Sequence, residues 1–415
     1  MISSITIKNF KSVVDVTMPI GRFNLMIGAN GCGKSNILEG IALGAAASSD
    51  KLEYEYFANR GIRVVEPRFM LPAFDDIEAK DVFIELVDDE YKKSSFRVFY
   101  NNDAKPARWQ TDSMDIKSII DYLNEKIISL NEKGNKQDYL ESIINHSDLV
   151  DIQSRFFGTR EEIDALENAM TKVEKEDQKK MRVKAPKWEF AMMTINPAIK
   201  QFIIYSLEES KLRKSDDSNR IYPLGRHGEG LFAYLKQLAQ RPDALEIFEE
   251  IKENLKVLDW FDDLKIPEAQ LSNEFNLQLK DCYLAETINL FDQRSTNEGF
   301  LYLLFYLTLV ISDETPRFFA IENIDTAFNP KLCREVTRRL IELARKHDKQ
   351  IIATTHNAAV LDGLNLNDDD VRLHVVRRTI DGYTKTNRIT LNEDMTISLS
   401  EAWQKGLIGG LPDNF

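Results

Sequence analysis

Residues 28–35 read GANGCGKS, with Gly, Gly, Lys and Ser at the spacing G-x-x-x-x-G-K-[ST]. The types suit one task. Glycines let the backbone curl so that successive amide N–H groups point at phosphate oxygens. A helix starting there adds positive potential. At this spacing Lys34 reaches the β and γ phosphates, and Ser35 offers a hydroxyl to Mg2+. Asn30, Gly31, Cys32, Gly33 and Asn36 complete the cradle. A flexible glycine turn is the bland alternative, but it needs no particular context. Here the apolar run FNLMI precedes the loop, and NILEGIALGAAA, apolar at helical spacing, follows it. Cys32 reads as a small residue whose amide matters rather than as a redox thiol.

A second stretch, FFAIENIDTAFNP at 318–330, ends an apolar strand in Glu322-Asn323. The Glu322 carboxylate suits a hard cation such as Mg2+. Asn323 offers only an amide. An amide orients a water but does not take its proton at neutral pH. Asp325, two residues on, or His356 is the alternative source of basicity. His356 ends another apolar strand, in IIATTHNAAVLD. In TNEGFLYLLFYL, Gly299 opens a long apolar helix. Its run 300–311 is shorter than the about 20 residues that cross a bilayer, so it reads as core.

These residues need strands and helices to position them. ISSITIK and SVVDVTMPI read as a strand pair, and DVFIELV and FRVFY as further strands. From residue 110 to 200 the chain alternates apolar and charged residues at a helical period. QFIIYSLEESKLR (201–213) reads as strand again, and 228–260 as helical. RFFAIEN and KQIIATTH are buried strands separated by a helix, and 371–391 reads as a closing hairpin. Two outer strand-and-helix blocks thus flank a mostly helical insertion.

The 415 residues, 43% hydrophobic and 29% charged, fit a globular protein of two or three units. Three cysteines lie far apart without a CxxC pair, which fits a reducing compartment and no structural zinc. MISSITIKNFK has no apolar run ahead of its first lysines, so no signal peptide and a cytoplasmic location are expected. The acidic run 368–370 reads as a solvated loop, and KVEKEDQKKMRVKAPK, with both signs mixed, as a solvated helix.

The order of these motifs resembles the ABC-type ATPases, the class of RecF, SMC and OLD-type proteins. In that family a Ser, a variable residue and a Gly start a helix that caps the γ-phosphate of the opposite subunit. TNEGFLYLLFYL is similar, with Asn297 where the signature Ser belongs and Gly299 at its Gly. FFAIENIDTAFNP resembles the Walker B strand. It puts Glu322 at the magnesium Asp, Asn323 at the catalytic Glu, and Asn329 in the loop that crosses to the partner subunit. IIATTHNAAVLD resembles the strand of the switch histidine, His356. ITIKNFKSV resembles the start of these proteins, where a strand leads into Asn-Phe-Lys or Asn-Phe-Arg. The family's Q-loop glutamine is unassigned; Gln110, Gln137 and Gln153 are candidates without a clear strand before them.

The resemblance covers residues 1–100 and 270–415. The group most similar is the stand-alone AAA family ATPases of bacteria and archaea, many of which sit beside an effector gene in phage-defence loci. It implies an α/β fold: an ABC-type P-loop ATPase head, a mixed sheet with an antiparallel β subdomain, carrying a mostly helical insertion. The expected units are 1–105 and 266–415 for the head and 106–265 for the insertion. ATP and Mg2+ are the implied cofactors, with Ser35 and Glu322 as metal ligands. Lys34, Glu322, Asn323 and His356 are the implied catalytic group. Residues 30–36, with Asn297 and Gly299, are the implied nucleotide contacts. The implied partners are a second copy, in a head-to-head ATP sandwich or larger homo-oligomer, and a separately encoded effector.

With Asn323 at the activating position, the expected function is a slowly hydrolysing, nucleotide-driven switch that senses or controls that effector in antiviral defence. The alternative is a RecF-like DNA-binding repair ATPase. A net charge of −13 does not favour DNA, although a local basic patch would suffice. SMC arms need sustained heptads, and none is seen. An OLD-type nuclease needs a C-terminal acid cluster, and the GGLPDNF tail follows soon after the last hairpin.

Overall fold

A computed structural model describes residues 1–90, 93–101, 104, 107–112, 196–214, 223–265, 277–285, 291–292, 295–390 and 397–411. The helical reading of 113–195, with Gln137 and Gln153, lies outside the described residues.

The chain begins with strands β1 (Ile2–Phe10), β2 (Val13–Pro19) and β3 (Phe23–Ile27), then helices α1 (Lys34–Ser48) and α2 (Tyr54–Arg60). Strands β4 (Asp81–Asp88), β5 (Lys93–Asn101) and β6 (Arg108–Asp112) follow. Next among the described residues come the single-turn helix α3 (Pro197–Lys200), strand β7 (Ile204–Tyr205) and single-turn helix α4 (Glu209–Leu212). Helices α5 (Leu231–Leu238) and α6 (Ala244–Leu255) lead to β8 (Phe261–Lys265), β9 (Gln278–Asp281) and β10 (Phe291–Asp292). The last part runs α7 (Glu298–Ile311), β11 (Phe318–Ile321), α8 (Pro330–Lys346), β12 (Gln350–Thr354), β13 (Val371–Arg378), β14 (Thr384–Ile389) and α9 (Leu399–Gln404).

Two sheets build the head. The first is antiparallel, in the order β2-β1-β4-β5-β6. Its register is set by alternation: in β4, Val82, Ile84 and Leu86 point to the core while their neighbours are half-exposed. The second sheet runs β14-β13-β3-β12-β11-β7. Its strands from β13 to β7 pair in parallel, and β14 closes the edge antiparallel to β13. Every residue of β3, β11 and β12 is buried, as expected of a parallel sheet covered on both faces. That is why FNLMI, FFAI and QIIAT read as continuous apolar runs. A small third sheet, β10-β9-β8, packs Phe261, Leu264 and Leu279 into the core that holds α7.

Helix α1 lies in one core with the antiparallel sheet. Helix α7 lies in the other core, against the parallel sheet and α8, with Phe300 to Ile311 all buried. Strand β7 pairs with β11, so the head's sheet takes a strand from the interval 106–265. Only Ile204 and Tyr205 of the strand-like stretch 201–213 form a strand. Beyond them Glu209 to Leu212 is helical, held by Arg213 Nη2 donating to Glu209 Oε1 at 2.6 Å one turn away. No helix among the described residues is long and apolar enough to cross a membrane.

His374 on β13 is fully buried, and its pKa falls to about 4, first through burial and then through the charges of Arg372 and Arg388. The unfolded chain binds a proton near pH 6.5, so stability falls as pH drops from 6.5 towards 4. Denaturant unfolding at pH 7 and pH 5 should differ by about 2 kcal/mol more in the wild type than in His374→Leu. Identical pH slopes would refute this linkage.

Candidate nucleotide site

In an open parallel sheet, ligands bind beyond the carboxyl ends of the strands. Strands β3, β12, β11 and β7 all end at one edge, and their following residues are Gly28, Thr355, Glu322 and Ser206. Three of the four sequence motifs thus meet at this edge without further assumption.

The loop after β3 is fixed by contacts from the other end of the chain. Gly33 has φ +110°, and a Cβ there would lie 2.1 Å from Thr384 Oγ1. Only glycine fits that position. Thr384 in turn donates to the Cys32 carbonyl at 2.9 Å, and its hydroxyl lies 2.7 Å from Ser12 Oγ. Asn36 Nδ2 donates to Ser12 Oγ at 2.7 Å. Cys32 is 4% exposed, which fits a packing residue better than a reactive thiol. Lys34 is buried, and its Nζ donates to the carbonyls of Gly28 at 2.6 Å and Ala29 at 3.2 Å. Burial lowers its pKa, while the nearby Cys32 and Glu322 pull it up. Glu322 is therefore within electrostatic reach of the phosphate loop. Ser35 and Glu322 are both half-buried. One hydroxyl and one carboxylate suit Mg2+, which completes its shell with phosphate oxygens and water. When bound, Mg2+ would neutralise phosphate charge.

One turn beyond Ser35, the buried Glu39 pairs with Lys11 and Arg63, and Arg63 Nη2 reaches Asn36 Oδ1 at 2.9 Å. This cluster ties the Asn-Phe-Lys start of the chain to the helix that carries the loop.

On β11, Glu322 N donates to Tyr205 O at 2.8 Å and Asn323 N to Thr354 Oγ1 at 3.0 Å. Asn323 stands in the left-handed region, φ +51°, with an exposed side chain. Asp325 Oδ1 accepts from Thr355 Oγ1 at 2.6 Å. His356 is exposed, and desolvation followed by the Lys34 charge lowers its pKa against the opposite pull of Asp325. A neutral imidazole there has an acceptor nitrogen.

Asn297 and Asn329 both cap helices. Asn297 Oδ1 accepts from Phe300 N at 2.8 Å, and Asn329 Oδ1 from Leu332 N at 3.0 Å. Gly299 lies beneath the turn after β11: a Cβ would sit 3.0 Å from the Ala327 carbonyl. A cleft of about 630 Å³ opens between Gly28, Ala29, Asn30 and His356; Asn297, Gly299, Glu322 and Asn323 do not line it. Gln110 does not line that cleft; it is on β6, where its Oε1 accepts from Asn101 Nδ2 at 2.8 Å.

The structure also brings residues that the motifs did not single out. Arg226 is half-buried beyond the end of β7: its carbonyl accepts from Ser206 N at 2.9 Å and its Nη1 donates to Ala58 O at 3.2 Å. Burial lowers its pKa, and the largest opposing pull is the charge of Glu322. The glycine-spaced run GRHGEG, 225–230, was the available signal. Trp403, Ser400 and Gly410 form another wall of the cleft.

A phosphate loop after a buried strand, a histidine-tipped neighbouring strand and an acid-tipped third, beside an antiparallel sheet, define an ABC-type P-loop ATPase head. The sequence matches the family model for an AAA ATPase domain over residues 1–361, and the chain belongs to that family. The fold is similar to an SMC head solved bound to the C-terminal winged-helix domain of ScpA, at 16% identity and TM-score 0.53, covering 95% of this chain and 99% of that one. An SMC head from Thermotoga maritima matches at 12% identity and TM-score 0.43, covering 94% and 99%. A head with an extended coiled coil, bound to a ScpA domain derived from Pyrococcus furiosus, matches at 14% and 0.46, covering 97% and 98%. No curated protein matches the chain.

Proposed function

We propose that this chain is an ATP-driven switch whose hydrolysis is slow, and that the residue responsible is Asn323. Lys34 exchanges the carbonyls of Gly28 and Ala29 for the β and γ phosphates. Ser35 and Glu322 would hold Mg2+, which would offset phosphate charge there. Asn323, exposed at the tip of β11, orients the attacking water but takes no proton from it. The remaining proton acceptors are His356, whose pKa is lowered by partial desolvation and by the Lys34 charge, and Asp325, whose carboxylate is already engaged by Thr355.

Slow turnover gives the bound state a lifetime. Two heads close on ATP, with Asn297 and Gly299 of each facing the phosphates of the other. Asn297 is exposed and Gly299 half-buried at the start of α7, both outside the cleft of their own chain, and that position supports the arrangement. The closed state is read by a separately encoded effector, in antiviral defence. One SMC head of this fold was solved with a second protein, ScpA, and this reading gives the present chain a protein partner as well. DNA clamping of the RecF kind is the alternative, and a net charge of −13 lends it no support.

Light scattering on purified protein tests the switch. With ATP and Mg2+ the chain should pair and stay paired for minutes, and with ADP it should not. The same assembly state in ATP and ADP would refute it.

A further inference from the structure

The C-terminal helix α9 is anchored beside the switch histidine. Asp362 accepts from Ser400 N at 3.1 Å and from Ser400 Oγ at 2.7 Å, and Leu399 and Trp403 sit in the core. The residues after it are built differently. Gly406, Gly409 and Gly410 have φ of +72°, +75° and +84°, and Leu407 is 67% exposed. Their backbone bonds are local: Gly406 N to Trp403 O, Leu407 N to Ala402 O and Gly409 N to Gly406 O. This turn lies on the phosphate loop. A Cβ on Gly410 would be 3.5 Å from Gly28 Cα, 3.5 Å from Trp403 Nε1 and 3.1 Å from Val375 Cγ1. The indole N–H is therefore separated from the first glycine of the loop by the thickness of one glycine.

That N–H is anomalous. Trp403 is 6% exposed and lines the cleft, yet its Nε1 has no hydrogen-bond partner among the described residues. Buried indole donors ordinarily find an acceptor, and an unmade bond is costly. Trp is donor-only, so the missing partner is an acceptor such as a phosphate oxygen. The cleft that Trp403 lines is bounded across from it by Gly28 to Asn30 and His356, the side on which a terminal phosphate would lie.

We propose that Trp403 is a further nucleotide-binding residue: its indole N–H donates to the terminal phosphate of a nucleoside triphosphate once the Gly409–Gly410 turn moves off the phosphate loop. The turn is then a plug that a triphosphate displaces and a diphosphate does not. This inference rests on the nucleotide site proposed above.

Trp403→Phe in the full chain keeps the ring packing and deletes the donor. Calorimetry with ADP and with the non-hydrolysable β,γ-imido analogue of ATP reads the effect. A hydrogen bond to a charged group predicts a loss of at least about tenfold in analogue affinity, with ADP affinity and melting temperature unchanged. Wild-type tryptophan emission should also change with the analogue and not with ADP, and that difference should vanish in the variant. Equal affinities in variant and wild type, with both nucleotides bound, overturn the role of Trp403 and leave the nucleotide site standing. A wild type that binds neither nucleotide overturns both. If Trp403→Phe does not fold, a chain ending at Lys405 serves instead. It removes the plug and keeps the donor, so analogue affinity should rise severalfold; an unchanged or lower affinity overturns the plug.

Discussion

Lys34→Ala should leave the fold standing and weaken nucleotide binding by at least about a hundredfold, since each charge-assisted contact to phosphate is worth about 1.5–3 kcal/mol. Among the described residues its Nζ hydrogen-bonds to the loop that carries it, at Gly28 and Ala29, with Cys32 Sγ at 3.9 Å. Burial already lowers its pKa, which means that the ammonium is poorly solvated where it sits. Removing it therefore relieves a desolvated charge while it loses two carbonyl bonds. The melting temperature should move by no more than about 4 °C, since an uncompensated 1 kcal/mol shifts a large domain by about 2–4 °C. Titration with a fluorescent ATP analogue, run beside a thermal melt, checks both halves. Tight binding by Lys34→Ala would mean that this loop is not the phosphate site.

Asn323→Glu should raise ATP turnover by about tenfold or more, because a positioned general base contributes about 10²–10⁴ in rate and only part of that is recovered by an unoptimised side chain. The same change should cost stability. Asn323 has φ +51°, a region that Asn tolerates better than Glu, so the variant should lose about 1 kcal/mol. The two effects have opposite signs, which separates chemistry from folding. Asn323→Asp keeps the backbone preference and shortens the reach by one methylene. It should be the more stable variant and the weaker catalyst of the two. Turnover unchanged in both would place the base elsewhere, at His356 or Asp325.

Much of this was legible in the sequence where the determinants are consecutive. The loop at 28–35 could be read because strand, glycines, Lys and Ser follow one another without a break. The parallel strands could be read because both faces are covered and the apolar runs are continuous. What holds the loop could not be read. Gly33 must be glycine because Thr384 crowds it, and Thr384 comes from a hairpin at the far end of the chain. The place of β7 was hidden too. A strand of two residues has no period, and its pairing with β11 is visible only in three dimensions. The place of Gln110 was hidden for a related reason: β6 belongs to the antiparallel sheet, not to the edge where β7, β11 and β12 end. Helix α9 did carry a local signal, Ser398 followed by Glu401 at capping-box spacing, and Ser398 Oγ does accept from Glu401 N at 3.2 Å. Its approach to the phosphate loop carried none, since that depends on the Gly410 turn lying against Gly28. Asn297 and Gly299 mark the opposite limit. The capping role of Asn297 is local and visible, whereas a role toward a second copy is a property of two chains.

The measurement that bears most directly on the central claim is the turnover of ATP by the unmodified protein under saturating ATP and Mg2+. A slow switch lacking a carboxylate at position 323 predicts turnover on the order of one per minute, far below the roughly 10 s⁻¹ typical of enzymes. It also predicts complete loss of that turnover in Lys34→Ala. Turnover near the typical value, with Asn323 in place, would contradict the account.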